Sequence, residues 1–241
     1  MSARWHTFPT PEAAAEACCR HVAAILEETL TSQEIATFAV SGGSTPRLLF
    51  ERLAASAVQW KRVHLFWVDE RCVPPTDAES NYRLSEEHLI VPAHVPRSNV
   101  HRIHAELMPD HAARHYAEEI RDFFALEPGE MPQFDVMQLG VGPDAHTGSL
   151  FPGEALIENC ESVVAAVYVD KLNTWRVTLL PGVLMAAKHS PFLVAGADKA
   201  EAVRNVFQAE YDPLKYPAQI VTHHSRRVAW FLDEPAAALL E

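Results

Sequence analysis

Asp144 and His146 occupy a short polar loop after an apolar run, and their side chains could transfer protons. The run, Val136 to Val141, has the composition and length of a buried strand in a parallel sheet. Ligands of open α/β sheets bind beyond the carboxyl ends of the strands, so this loop would present an imidazole and a carboxylate to a ligand. Histidine titrates near neutral pH and can take a proton from water when a carboxylate holds it. The alternative is a Gly-Pro turn with a surface histidine, and the loop position favours a functional role.

A glycine-rich loop, Ser41-Gly42-Gly43-Ser44-Thr45, lies between another apolar run and a helix-like segment. Its glycines would let the backbone approach an anion, and the helix N-terminus would offer unpaired N–H groups and a positive dipole end. The loop matches neither the G-x-G-x-x-G pattern nor the P-loop pattern, which disfavours a nucleotide ligand. A β–α turn capped by serine or threonine explains the same residues equally well.

Three cations, Arg71, Arg176 and Lys199, stand near predicted element boundaries. Arg71 ends the run Asp69-Glu70-Arg71, and its planar guanidinium suits two phosphate oxygens or, alternatively, a neighbouring carboxylate. Lys199 falls in the first turn of a predicted helix, where it opposes the helix dipole and so hints at an anionic ligand. These residues indicate an enzyme that acts on a small phosphorylated molecule, without specifying the reaction.

Composition excludes several other classes of protein. The 241 residues carry a net charge of -12, which argues against nucleic-acid binding but permits an anionic small molecule in a local basic cleft. The four cysteines have no C-x-x-C spacing, and the helical pair His111 and His115 lacks a third ligand, so no metal site is predicted. Neither a membrane span nor a signal-peptide core is found, so we expect a cytoplasmic protein.

Strand-like and helix-like segments alternate along the chain, which predicts an α/β fold with βαβ units, a mostly parallel sheet and a single domain over residues 1–241. Strands are predicted over residues 35–40, 63–68, 136–141, 163–169, 192–195 and 228–232. Helices are predicted from Thr10-Pro11, through 82–89, from Pro109, and over 181–188, 198–207 (capped by Asp198) and 235–240. Residues 94–108 are predicted to be irregular.

Seven motifs occur together in a fixed order, and this ordered set is more specific than any one of them. They are Ser41-Gly-Gly-Ser-Thr-Pro46, Trp67-Val-Asp-Glu-Arg71, Ser80-Asn-Tyr82, Leu139-Gly-Val-Gly-Pro-Asp-Ala-His-Thr-Gly-Ser-Leu-Phe-Pro152, Arg176-Val-Thr-Leu179, Gly196-Ala-Asp-Lys-Ala200 and Trp230-Phe-Leu-Asp233. With them the chain resembles the glucosamine-6-phosphate isomerase/6-phosphogluconolactonase family, and within it the lactonases, from about the first helix to the C-terminus.

The resemblance implies a Rossmann-like, mostly parallel sheet flanked by helices on both faces. It also implies hydrolysis of 6-phospho-D-glucono-1,5-lactone, with no cofactor and no metal. His146 matches the histidine proposed to activate water, and Asp69 and Asp144 match acids that line the sugar site. Phosphate binding is carried over to Gly42, Gly43, Ser44, Arg71, Arg176 and Lys199. The expected partner is a phosphorylated sugar lactone, and the expected state is a monomer, with weak self-association left open.

Two residues depart from the family pattern. Ala145 stands where the family usually has glycine, and if that position needs a positive φ, alanine costs about 1 kcal/mol or more. Met185 stands where the family often has asparagine, and it cannot supply that hydrogen bond. A non-catalytic homologue therefore remains an alternative.

Two further alternatives are weaker. In the isomerase/deaminase branch of the fold, a glutamate that moves protons stands where this chain has Phe151, and phenylalanine cannot do acid/base work. A sugar-phosphate-sensing regulator would need a DNA-binding segment, and the acidic composition does not indicate one.

Overall fold

A parallel sheet and a smaller antiparallel sheet organise residues 4–241, the part of the chain that this computed structural model describes. The strands are β1 (Arg4–Phe8), β2 (Ala36–Val40), β3 (Val63–Trp67), β4 (Asp69–Arg71), β5 (Val100–His101), β6 (Val136–Met137), β7 (Val164–Val169), β8 (Thr174–Leu179), β9 (Ser190–Val194) and β10 (Val228–Asp233). The helices are α1 (Pro11–Ser32), α2 (Ser44–Ala54), α3 (Asn81–Ser85), α4 (Pro109–Phe124), α5 (Pro181–Ala186), α6 (Ala200–Gln208), α7 (Gln219–His224) and α8 (Glu234–Ala237).

The parallel strands form two groups, β5-β3-β2-β6 and β9-β10-β1, which meet along a seam between β6 and β9. At this seam the Met137 N–H donates to the His189 carbonyl at 2.9 Å, and the Leu139 N–H donates to the Pro191 carbonyl at 2.9 Å. The Leu193 N–H donates back to the Leu139 carbonyl at 3.0 Å. The strand order therefore runs β5-β3-β2-β6-β9-β10-β1, and the predicted α/β fold with a mostly parallel sheet is confirmed.

The antiparallel sheet, in the order β4-β8-β7, was not predicted. Strand β7 was expected from its β-branched residues, but β8 was missed; its side chains are exposed or half-buried from Thr174 to Arg176 and buried from Val177 to Leu179, so they show no alternation. Strand β4 follows β3 after one residue and pairs with β8, so that Arg71 lies directly opposite Arg176. This pairing brings together two cations that are far apart in sequence.

Local sequence explains where helix α1 begins, but not where α6 begins. Thr10 caps α1 as predicted, since its Oγ1 accepts from the Ala13 N–H at 3.2 Å. The predicted cap at Asp198 is wrong, because a 3₁₀ turn (Ala197–Lys199) precedes α6 and the Asp198 carboxylate pairs with the Lys199 Nζ at 2.9 Å.

Several boundaries differ from the prediction. The irregular stretch 94–108 contains the two-residue strand β5, and β1 and α7 were not anticipated. The C-terminal helix is shorter than expected, since α8 ends at Ala237. Among residues 4–241, no helix has both the length and the apolar character needed to cross a bilayer.

The core is one large apolar cluster between the sheet and its helices, with a small cluster of Phe151, Val167 and Val169 beside the antiparallel sheet. The four cysteines are free thiols. Cys18 and Cys19 lie in the large cluster, Cys72 is half-buried and Cys160 is exposed.

We expect one cysteine, Cys160, to react rapidly with Ellman's reagent at pH 8 in the native protein. Burial raises the pKa of Cys19 and of Cys72 to about 11, and it raises the pKa of Cys18 still further, so these three hold little thiolate. Absorbance of the released thiolate should report about one fast thiol per chain, and Cys160→Ser should remove it. A second fast thiol in Cys160→Ser would contradict this burial pattern.

Candidate active site

A cavity of about 260 Å³ lies beyond the carboxyl ends of β2, β3, β6 and β9. This is where an open α/β sheet binds its ligands. All but one of the residues predicted for the site line the cavity, and the exception is Asp144. The lining residues that were predicted are Gly42, Gly43, Ser44, Asp69, Arg71, His146, Arg176 and Lys199. Asp144 stands behind His146 and contacts its ring.

The imidazole of His146 is held by Asp144. Its Nδ1 lies 2.5 Å from Asp144 Oδ1, and Oδ1 also accepts the His146 backbone N–H at 3.3 Å. Burial opposes ionisation of Asp144, but hydrogen bonds from His146 and Lys171 outweigh burial and lower the pKa of this carboxyl. Because an ionised carboxylate only accepts, Nδ1 carries a proton, and in the neutral imidazole the lone pair is then on Nε2. This tautomer suits a general base.

Gly142 provides the space in which this ring sits. A Cβ at position 142 would overlap the imidazole atoms Cε1 and Nδ1. The Gly142 N–H also donates to the His146 carbonyl at 2.9 Å, which closes the loop. On another side, the ring of Phe151 lies 4.2 Å from the imidazole, measured between centroids. The imidazole is therefore held by packing as well as by Asp144.

Ala145 adopts a left-handed conformation with a φ of 66°. This is the positive φ that the sequence analysis considered for the position, and it costs a non-glycine residue roughly 1–2 kcal/mol. The Ala145 N–H donates to the Gly142 carbonyl at 2.9 Å, and its carbonyl accepts from the Ala218 N–H at 3.0 Å. These bonds hold the strained residue, and the His146–Asp144 contact forms in its presence.

The glycine loop forms the start of α2 without a serine or threonine cap. Gly43 is the N-cap residue, with a φ of 119°, and it makes no side-chain cap bond. Gly42 packs so closely on Asn81 that a Cβ would overlap the amide of that residue. The capping interpretation of this loop is therefore wrong, and the N-terminus of α2 faces the cavity with Ser44 and Thr45 in its lining.

Two arginines face each other across the β4–β8 ladder at the cavity. Like charges directly opposite in a sheet repel, so Arg71 and Arg176 destabilise each other unless an anion lies near them. Burial lowers the pKa of Arg176, Asp69 opposes this effect, and Arg71 adds to it. The Nε atoms of both arginines are buried without a hydrogen-bond partner among the described residues. Lys199 adds a third cation to the lining.

Carboxylates only partly balance these charges. Asp69 Oδ2 lies 3.9 Å from Arg176 Nη1 and accepts from the Ser149 hydroxyl at 2.7 Å. Arg71 does not pair with its neighbouring carboxylates within the described chain, and its Nη1 donates to the Glu79 carbonyl at 2.5 Å. The alternative that Arg71 simply neutralises Asp69 or Glu70 is thus not supported.

Glu70 is buried and orders the segment that closes this side of the cavity. Its carboxylate accepts the backbone N–H groups of Arg71, Asn81 and Tyr82 at 2.8, 2.8 and 2.7 Å, and the Ser80 hydroxyl at 3.0 Å. Burial raises the pKa of Glu70, although these backbone bonds oppose the rise. The ordered segment places Asn81 so that its Nδ2 donates to the Asp69 carbonyl at 2.8 Å.

Sequence reasoning did not name Asn81, Ser149 or Lys171 as site residues, and it used Phe151 only to disfavour the isomerase/deaminase branch. All four contact the predicted site residues. Asn81 had a signal, the Ser80-Asn-Tyr82 motif. Lys171 had none, because it lies in the turn between β7 and the unpredicted strand β8.

Residues that were considered and set aside lie elsewhere. Met185 packs against the apolar core and does not line the cavity. His111 and His115 are exposed, and His115 packs on His104 at 4.8 Å between centroids. Over residues 4–241, no group of three or more His, Cys, Asp and Glu side chains is placed to hold a metal ion.

Comparison with known proteins decides the family. The family model described as "Glucosamine-6-phosphate isomerases/6-phosphogluconolactonase" matches residues 9–230. The chain belongs to this family. It is an enzyme of the glucosamine-6-phosphate isomerase/6-phosphogluconolactonase family, and it is similar to members named as lactonases.

Human 6-phosphogluconolactonase is 39% identical over 208 residues, which cover 83% of this chain and 79% of the human protein. The 6-phosphogluconolactonase of a Synechocystis species is 35% identical over 201 residues, or 83% of this chain and 82% of that protein. The structure of 6-phosphogluconolactonase from Trypanosoma brucei superposes with a TM-score of 0.87 at 27% identity and covers 99% of each chain.

Proposed function

We propose that this enzyme hydrolyses 6-phospho-D-glucono-1,5-lactone to 6-phospho-D-gluconate, a step of the oxidative pentose phosphate pathway. The observation that carries the proposal is one cavity that joins the opposed cations Arg71 and Arg176 to the imidazole of His146. The cations suit a phosphate, and the imidazole suits activation of water. The names of the relatives support the same reaction.

In the proposed reaction, His146 Nε2 takes a proton from a water molecule as the water oxygen attacks the lactone carbonyl. The tetrahedral intermediate then collapses, the bond between the carbonyl carbon and the ring oxygen breaks, and the imidazolium returns its proton to that oxygen. The products are a carboxylic acid, which ionises, and a hydroxyl, so one water is consumed. Asp144 stabilises the imidazolium between these steps. General base catalysis of this kind contributes roughly 10²–10⁴-fold.

The phosphate is proposed to lie between the glycine loop and the three cations. Backbone N–H groups of Gly42, Gly43 and Ser44 at the start of α2 would bind its oxygens, together with Arg71, Arg176 and Lys199. Asp69 would accept a sugar hydroxyl, because Ser149 and Asn81 hold its carboxylate at the cavity wall. The substrate is thereby anchored at one end and exposed to His146 at the other.

Phe151 argues against the isomerase/deaminase alternative. Its ring packs against His146 at 4.2 Å, so an apolar side chain occupies the place where that branch of the family has an acid/base glutamate. Ring opening of an amino sugar needs a second proton-transfer group, whereas lactone hydrolysis by an activated water does not. The aromatic ring is therefore consistent with the lactonase reaction.

The experiment is a coupled assay in which lactone is generated in place by oxidation of glucose 6-phosphate. Release of 6-phosphogluconate is followed with its NADP-dependent dehydrogenase and compared with spontaneous hydrolysis. Hydrolysis of unphosphorylated glucono-1,5-lactone is followed by the acid that it releases. Acceleration of the phosphorylated lactone by the wild-type chain, with much weaker acceleration of the unphosphorylated one, is the expected result. A rate equal to the spontaneous rate would overturn the proposal and favour a non-catalytic homologue.

Arg71→Ala is expected to raise KM about tenfold or more and to lower kcat less, because the arginine is proposed to bind a phosphate distant from the reacting carbon. Initial rates over a range of lactone concentrations measure both constants. Arg20→Ala is the control, since Arg20 is exposed on α1 and pairs only with Glu16 among the described residues. An Arg71→Ala enzyme with unchanged KM and kcat would remove Arg71 from the phosphate site.

We keep four further predictions from the sequence as part of this proposal. The protein is expected to be a single domain and a monomer, to act without a cofactor or a metal, and to be located in the cytoplasm.

A further inference from the structure

Lys171 is a cation that contacts two neighbours of His146 and does not line the cavity. It lies in the turn between β7 and β8, and its Nζ bonds Asp144 Oδ2. The same Nζ lies 4.3 Å from the centroid of the Phe151 ring, which packs against the imidazole of His146. Lys171 is thus connected to the imidazole through two residues, Asp144 and Phe151.

The two oxygens of Asp144 have separate partners. Oδ1 faces His146 Nδ1, and Oδ2 faces Lys171 Nζ. A carboxylate bonded at one oxygen alone can rotate about its Cβ–Cγ bond and exchange its oxygens, whereas one bonded at both is fixed in one plane. The plane of Asp144 in turn sets the direction from which Nδ1 is held.

We propose that Lys171 is a positioning residue of the reaction, which fixes Asp144 and Phe151 so that His146 keeps its Nε2 lone pair towards the water. The inference rests on the proposed lactonase function. Lys171 is absent from the cavity lining, so its action passes through Asp144 and Phe151 and not through the substrate. The sequence analysis did not single out Lys171, because the position of this residue depends on the β7–β8 pairing.

Lys171 also sets the charge around the imidazole. Asp144 from its own loop and Lys171 from the β7–β8 turn face His146 most directly, while Asp69, Arg71, Arg176 and Lys199 line the same cavity. Without Lys171, the negative charge of Asp144 would lose its direct cationic partner and would favour a protonated imidazole more strongly. The base would then be lost at a higher pH than in the wild type.

The test compares Lys171→Met, which keeps the apolar stem without the charge, with Lys171→Arg, which keeps the charge. We expect Lys171→Met to lower kcat about five- to twentyfold with KM changed less than twofold. Its acid limb in the pH profile of kcat/KM should move up by about half a pH unit. Lys171→Arg should remain within about threefold of wild type. Lys215→Met is the matched control, since Lys215 also lies over an aromatic ring, that of Tyr216.

A second readout does not depend on activity. Nitrogen NMR of ¹⁵N-labelled imidazoles should show His146 protonated at Nδ1 in the wild type and in Lys171→Arg, with a smaller population of that tautomer in Lys171→Met. An active wild type with unchanged kcat, pH profile and tautomer in Lys171→Met would overturn the inference alone. A rise in KM at unchanged kcat would also overturn it, because it would make Lys171 a substrate ligand. An inactive wild type would instead overturn the proposed function. The tautomer populations would then still test whether Lys171 positions His146, because this measurement does not require activity.

Discussion

His146→Ala is expected to lower kcat for hydrolysis of the phosphorylated lactone by about 10²–10⁴-fold, with KM changed less than about threefold. The substitution removes the only imidazole in the cavity lining that the described residues provide. It leaves the glycine loop and the cations in place, so substrate should still bind. The coupled assay measures the effect as the rate above spontaneous hydrolysis.

His111→Ala is the matched control, because His111 is an exposed histidine on α4. It should match the wild type in kcat and KM. Thermal unfolding of His146→Ala should resemble that of the wild type, since the imidazole is only partly buried. If His146→Ala kept more than a tenth of the wild-type kcat while folded, His146 would not be the base and water would be activated elsewhere.

Gly142→Ala should have the next largest effect, a fall in kcat of about 10²-fold in a protein that still folds. The added Cβ would overlap Cε1 and Nδ1 of His146, so the ring must leave its place between Asp144 and Phe151. Displacement of a catalytic group by about 1 Å is enough for a loss of this size. The fold should survive because the clash is with a partly exposed side chain that can rotate. Steady-state kinetics and circular dichroism give the two readouts.

A double-mutant cycle separates this cause from a general disturbance of the loop. If Gly142→Ala acts only by displacing His146, it should change little in a His146→Ala background, where no ring remains to displace. Equal effects of Gly142→Ala in both backgrounds would show that the loop backbone, and not the imidazole, had been disturbed.

The sequence was most informative where a strand runs directly into its polar loop. His146, Asp69 and the Gly42-Gly43 pair each follow a short apolar run, and the parallel sheet brings such loops to one edge. These positions could be predicted because the signal is local: residue types within about ten positions define both the strand and its loop.

The parts that sequence reasoning missed depend on pairing between distant strands. Strand β8 begins at Thr174 after a turn with an αL residue, Asn173, and its antiparallel partner β4 is about a hundred residues earlier. No periodicity within β4 shows this, since it has three residues. The opposition of Arg71 and Arg176 follows from that pairing, and the contact of Lys171 with Asp144 depends on the turn between β7 and the unpredicted strand β8, so local patterns did not show them.

Buried polar contacts were equally hard to foresee. Glu70 looked like one of several charged residues at a strand end, yet it is buried and holds the backbone of the Ser80–Tyr82 segment. Ala145 shows the opposite case, because the glycine that is usual in the family at this position raised the possibility of a positive φ, and Ala145 has a φ of 66°. A family pattern can reveal backbone strain that composition alone conceals.

The seam between β6 and β9 has a consequence for the order in which the enzyme folds. The glycine loop precedes the seam in sequence, whereas Arg176 in β8 and Lys199 before α6 belong to the later half of the chain. A growing chain that had formed β2, β3 and β6 would therefore carry His146 without its full set of cations. Substrate cannot guide the early stages of folding, since the full set of cations is present only after β8 has paired with β4 and β9 has joined across the seam.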